Sequence, residues 1–266
     1  MLREKILQSG IGEINLAEGP ENGPRLLLLH GFTNRWQTYL PILPVLIGKY
    51  HVFAFDHRGH GKSGRIDGAY TAAAFYTDAE TVMDHLAGPV FILGHSMGGS
   101  LGLHLAESRP ALVRALVTGD TSLNLELHIN VMNNRRNTKL FGLRRRMAGR
   151  PVDELMRRGL SEEQAQEMSV LDPHVMDFHA EGRVEEFFTN IDNVKFDTIR
   201  CPLLLTQADP EKGGLLPNEE LGPVLSAHPE IKFARFDTGH GLEISQGINS
   251  PFFQAALRFF DQYSSI

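Results

Sequence analysis

The sequence predicts an α/β fold, a mostly parallel twisted sheet with helices on both faces, on three observations. Short apolar runs without polar alternation recur along the chain, as expected of strands covered on both sides. Stretches of helical period separate them. The two kinds of segment alternate at the spacing of strand–helix–strand units, which favours parallel pairing through crossover helices. The apolar runs are Arg25–Leu29, His51–Phe55, Pro89–Leu93, Ala115–Val117 and Pro202–Leu205, with Ile231–Phe236 a less regular instance.

Taken in order, residues 3–8 and 11–17 alternate around Gly10 and Gly12 and suit an antiparallel hairpin at a sheet edge. Residues 36–47 have helical character, shortened or kinked by Pro41 and Pro44. Tyr70–Leu86 lines up Phe75, Ala79, Val82, Met83 and Leu86 on one stripe, and Met97–Ser108 does the same with Leu101 and Leu105. Pro251–Tyr263 closes the chain as a helix, with Ser250 as its N-cap and Pro251 in the first turn.

Residues 122–196 break the rhythm. They contain no good strand, but helical patterns recur at Asn133–Met147 and Ser161–Met168, along with the densest basic cluster, Arg144-Arg145-Arg146. The expected division is a core from residues 1–121 and 197–266, with 122–196 a helical cap inserted between two strands. The cap arginines read as a solvated helix face, with an anionic substrate as the alternative.

With 42% hydrophobic residues in 266, the chain can bury one large core. Its 26 Lys+Arg against 32 Asp+Glu give no electrostatic reason to expect nucleic acid or an anionic membrane. Cys201 is the sole cysteine, so an internal disulfide is excluded. The first residues lack the apolar run of a signal peptide, and the expectation is a cytoplasmic protein acting on a small molecule.

The chemistry concentrates in Gly94-His95-Ser96-Met97-Gly98-Gly99, which joins the strand ending at Leu93 to the helix beginning near Met97. A serine hydroxyl needs an adjacent base to become a nucleophile. A sharp strand-to-helix turn projects it above the sheet edge, and glycines on either side remove side chains that would clash. The backbone N–H of Met97, at a helix N-terminus, then points where an oxyanion forms.

With this motif on its strand and helix, the chain resembles the α/β-hydrolase superfamily, in the branch with a helical cap, over essentially its whole length. The resemblance extends to His30-Gly31-Phe32-Thr33 after the third strand, which implies Phe32 N–H as a second oxyanion donor. It also covers Asp56-His57-Arg58-Gly59-His60-Gly61-Lys62-Ser63, a loop of mainly structural role in such proteins. The family order of nucleophile, acid, histidine leaves His228 and His240 as possible bases; His240, in Gly239-His240-Gly241 after a strand, matches the family's Gly-His motif. The acid is expected at Asp209, after the strand Pro202–Leu205, with Asp120 the alternative position. Glycine is usual where this chain has Gln207 or Ala208, so the match at Asp209 is imperfect.

Ser96 excludes relatives that use a carboxylate nucleophile, leaving acyl transfer to water. The implied activity is a carboxylesterase acting on a small or medium acyl substrate without cofactor or metal. A lactonase, a C–C bond hydrolase, a cofactor-free perhydrolase or a ligand receptor retaining the triad would carry the same residues. Trp36, Phe141, Met147 and Leu242 are candidates for the pocket lining.

Overall fold

The computed structural model describes residues 2–9, 12–66 and 70–264. Eight strands form one sheet in the order β1-β2-β4-β3-β5-β6-β7-β8. They are β1 (Arg3–Ser9), β2 (Gly12–Glu18), β3 (Arg25–Leu29), β4 (His51–Phe55), β5 (Val90–His95), β6 (Val113–Gly119), β7 (Leu203–Ala208) and β8 (Lys232–Phe236). β1 and β2 pair antiparallel at one edge, and the pairs from β4 through β8 are parallel. The edge hairpin forms as expected, although its turn residues 10 and 11 lie outside the described residues.

The helices in chain order are α1 (Leu43–Leu46), α2 (Ala72–Leu86), α3 (Met97–Ser108), α4 (Leu125–Met132), α5 (Arg135–Met147), α6 (Val152–Arg157), α7 (Glu162–Ser169), α8 (Asp177–Glu181), α9 (Val184–Phe187), α10 (Asn218–Ala227) and α11 (Pro251–Asp261). The stretch 36–47 is not one helix. A 3₁₀ turn over Trp36–Tyr39 and the single turn of α1 replace it, because Pro41 and Pro44 each lack the N–H that a continuous helix would need.

Side chains leave a strand on alternate faces, so an unbroken apolar run serves two cores at once. In β3, Leu27 and Leu29 pack with Phe75, Val82 and Met83 of α2, and with Leu101 and Leu105 of α3. Leu26 and Leu28 point to the other layer, against Leu43 and Leu46 of α1 and Phe252, Phe253 and Phe260 of α11. β5 divides likewise, Val90 and Ile92 to the first layer and Phe91 and Leu93 to the second. The missing alternation in the sequence is this double burial.

Between β6 and β7 the chain is helical, α4 to α9, with no strand. This segment docks through polar contacts as well as apolar ones. Tyr70 Oη donates to Asp172 at 2.8 Å, Asp172 N to Gly59 O at 2.7 Å, and Asn34 Nδ2 to Glu167 at 3.0 Å. No helix among the described residues is long and apolar enough to cross a membrane.

One buried ion pair ties the loop after β4 to α2. The Arg58 guanidinium donates to both carboxylate oxygens of Asp78, at 2.7 and 2.8 Å, with both residues buried. Asp78→Ala takes this carboxylate away from a buried guanidinium, so it is expected to cost about 3–5 kcal/mol of unfolding free energy. Urea denaturation of the two proteins measures it, and a loss under about 1 kcal/mol would show that Arg58 finds water or another partner.

Candidate active site

Ser96 lies between β5 and α3 at φ 54° and ψ −121°, a conformation that non-glycine residues rarely adopt. Its neighbours over-determine it. Ser96 N donates to Gly119 O of β6 at 2.8 Å, and its carbonyl accepts from Gly99 N at 2.9 Å and Thr121 Oγ1 at 3.0 Å. The elbow is so tight that a Cβ on Gly98 would collide with the carbonyl oxygen of Leu29, and one on Gly94 with that of Gly98. Both glycines are therefore required by close backbone approach.

His240 follows β8 and reaches the same sheet edge. Its Nε2 stands 3.1 Å from Ser96 Oγ, and its Nδ1 is 2.6 Å from Asp120 Oδ2. His95 secures the loop that carries it: His95 Nε2 lies 2.8 Å from His240 O, and the two rings are tilted by 38° with centroids 4.8 Å apart. Burial, then the neighbouring His240, push the His95 imidazole down to about 4, so at neutral pH its ring is uncharged.

The acid in this network is Asp120, and the expectation of Asp209 is corrected. Asp120 follows Gly119 at the end of β6, the strand directly beside β5, and it is fully buried. Besides His240, it accepts from Ala208 N at 3.1 Å, Leu215 N at 2.7 Å and Leu216 N at 3.2 Å. Burial alone would raise its pKa, but the hydrogen bond and charge of His240 and the backbone donors outweigh this and hold it below the usual carboxylate value. Asp209 lies one strand further away. There it caps a 3₁₀ turn through Glu211 N at 3.1 Å and pairs with Arg235 of β8 at 2.9 Å. A carboxylate committed to these partners is not the one beside His240.

The loop after β3 adjoins Ser96, since a Cβ on Gly31 would lie 3.5 Å from Ser96 Cβ. The next N–H is that of Phe32, and Met97 N opens α3; neither donates to a described residue. Both therefore remain free to act as donors in the roles the sequence analysis expects of them.

The loop histidines are structural in their bonding. His30, His57 and His60 are buried together, with His30 and His57 ring centroids 4.1 Å apart. His57 N donates to His30 Nε2 at 3.1 Å, and His60 Nε2 contacts the carbonyl oxygen of Phe32, bracing that loop.

The pocket expectations divide. Phe141 of α5 meets the Phe32 ring at 6.1 Å, and Met147 packs half-buried against the same cluster. Trp36 and Leu242 are corrected to core residues. The Trp36 indole is buried and donates to Glu4 at 2.8 Å, and Leu242 is fully buried beneath the His240 loop, in one cluster with Phe252. Sequence reasoning missed His128 of α4 and His179 of α8 as neighbours of the site. His179 follows Val175 and Met176 at helical spacing, which marks the buried face.

A family model described as "alpha/beta hydrolase fold" matches residues 24–173. The chain belongs to the α/β-hydrolase fold family. Among curated relatives of this α/β hydrolase, a "Serine hydrolase-like protein" of Danio rerio is 36% identical over 106 residues, covering 39% of this chain and 32% of that one. A "2-(acetamidomethylene)succinate hydrolase" of Mesorhizobium japonicum is 31% identical over 118 residues, 44% of this chain and 42% of that one. The alignments thus span well under two thirds of those relatives. Among solved structures, E-2-(acetamidomethylene)succinate hydrolase superposes with a TM-score of 0.74 at 18% identity, over 98% of this chain and 100% of the other. That likeness shows a shared fold.

Proposed function

We propose that the protein is a serine hydrolase cleaving small or medium carboxylic esters through an acyl-enzyme. The observation that carries this reading is the continuous relay from Ser96 Oγ through His240 to Asp120, at 3.1 and 2.6 Å. In the first half-reaction His240 Nε2 takes the Ser96 proton as Oγ attacks the ester carbonyl. The carbonyl oxygen becomes an oxyanion held by the N–H groups of Phe32 and Met97. His240 then protonates the departing alkoxide and leaves an acyl-serine. Water, deprotonated by the same nitrogen, attacks the acyl carbon, and the proton returns to Ser96 as the acid leaves. Asp120 fixes the imidazole tautomer with Nε2 free as acceptor and stabilises the imidazolium formed in each step.

The helices between β6 and β7 then act as a lid over the relay and set substrate choice, and the curated relatives whose names include "hydrolase" are consistent with the reaction class. Labelling tests the reading. A fluorophosphonate should modify Ser96 and abolish hydrolysis of p-nitrophenyl butyrate, while a metal chelator should leave the rate unchanged, because every step uses protein groups alone. A mass-spectrometric adduct on another residue, or loss of activity in chelator, would refute the mechanism.

A further inference from the structure

Above the relay, the lid carries two histidines whose bonding the proposed chemistry does not use. His179 is only 4% exposed, and its Nδ1 is buried with no hydrogen-bond partner. Its ring sits among Phe32, Phe141 and Phe187, with centroids 4.6, 4.8 and 4.9 Å away. Phe32 directly follows Gly31, where an added Cβ would lie 3.5 Å from Ser96 Cβ, so this aromatic cage lies near the reacting centre. His128 stands edge-on to Phe188 at 5.5 Å and is an electrostatic neighbour of both His240 and His179. A buried polar atom without a partner is costly, normally about 1–3 kcal/mol. It is tolerated where a ligand completes the bond.

We propose that His179, with His128 beside it, forms a subsite for an uncharged hydrogen-bonding group of the substrate, an amide or a hydroxyl, placed away from the scissile ester. The proposal rests on the serine-hydrolase reading for the position of the scissile bond. A neutral imidazole offers one donor and one acceptor, which matches an amide or hydroxyl. A carboxylate fits poorly. Burial, then neighbouring histidines, push His179 down to about 3 and His128 to about 4, so neither ring supplies a cation at neutral pH. The phenylalanine cage favours a flat apolar linker leading to the polar group.

Matched esters test this, the varied group placed in the acyl part of p-nitrophenyl esters and then in the alcohol part of acetates. Each series compares an alkyl chain, an amide-bearing chain of the same length and a terminal carboxylate. In one series the amide ester should exceed the alkyl ester in kcat/KM by about tenfold or more, chiefly through KM, since a site built to hydrogen-bond disfavours a partner lacking the group. His179→Phe should remove this preference while alkyl-ester turnover stays within about threefold, and His179→Gln should retain part of it. Alkyl or carboxylate preference in both series, or an amide preference that survives His179→Phe, would overturn the subsite.

A second readout is independent of turnover. In ¹⁵N-histidine-labelled Ser96→Ala protein, the amide ester should shift the His179 Nδ1 resonance and the alkyl ester should not. Esters that are not hydrolysed at all would refute the serine-hydrolase reading, and the ¹⁵N shift, present or absent, would still decide the subsite.

Discussion

Ser96→Ala is expected to lower kcat for p-nitrophenyl butyrate by about four orders of magnitude or more, with urea unfolding unchanged. The size of the effect follows from what the hydroxyl does. Without Oγ no acyl-enzyme forms, and His240 can at most activate water, which must be held in place without a covalent tether. The proposed oxyanion donors, the backbone N–H groups of Phe32 and Met97, survive the change and would leave residual oxyanion stabilisation. Stability should not change, because the bonds that hold position 96 in its positive-φ conformation use backbone atoms: its N–H to Gly119 and its carbonyl to Gly99 and Thr121. Alanine meets the same steric cost as serine at that angle, and the single side-chain bond lost is the long one to His240. Steady-state kinetics and urea unfolding on the same preparations measure both halves. Turnover within tenfold of wild type in a stably folded variant would remove Ser96 from the chemistry.

Much of this arrangement was legible in the sequence, because its signals are local. The elbow announces itself in six consecutive residues, since strand, strained turn and helix start must all fall within that span. The doubly buried strands are visible as runs such as Leu26–Leu29, where the two faces are equally apolar. The prolines at 41 and 44 marked the one helical stretch that breaks up. His240 was readable because a single histidine follows the last strand.

The acid was not readable, because it is chosen by partners distant in sequence. Asp120 and Asp209 each follow an apolar strand. What separates them is that β6 adjoins β5, and that the chain after β7 folds back to aim the N–H groups of Leu215 and Leu216 at Asp120. Neither fact has a local signature. Asp209 is drawn away by Arg235 on the neighbouring strand, a contact set by strand register rather than by composition. Trp36 and Leu242 show the same limit from the apolar side. A large hydrophobic residue near a reactive loop reads alike whether it lines the pocket or, like Leu242, supports the loop from below.

The choice between the two aspartates gives the sharpest comparison. Asp120→Asn is expected to lower kcat/KM by about 10² to 10⁴, while Asp209→Asn stays within about threefold of wild type. An amide at position 120 presents one oxygen where four N–H groups converge on two, those of Ala208, Leu215, Leu216 and His240. If that oxygen turns to the backbone donors, the NH₂ group faces His240 and favours the tautomer whose Nε2 carries a proton, which cannot accept one from Ser96. If it turns to His240, the N–H groups of Ala208 and Leu216 lose their acceptor. Some stability should therefore be lost as well, and the change should show in the acid limb of unfolding. The native pKa of Asp120 is depressed, so its ionised form stabilises the fold above the ordinary carboxylate value near 3.9 and ceases to do so as pH falls through its lower folded value. At position 209 an asparagine keeps an oxygen for Glu211 N and loses only the surface pair with Arg235, which solvent screens. Kinetics of both variants at neutral pH, normalised to the folded fraction from urea curves, separate the catalytic loss from the structural one. If Asp209→Asn proved the more damaging variant after that correction, the relay would run through a rearranged β7 loop and not through Asp120.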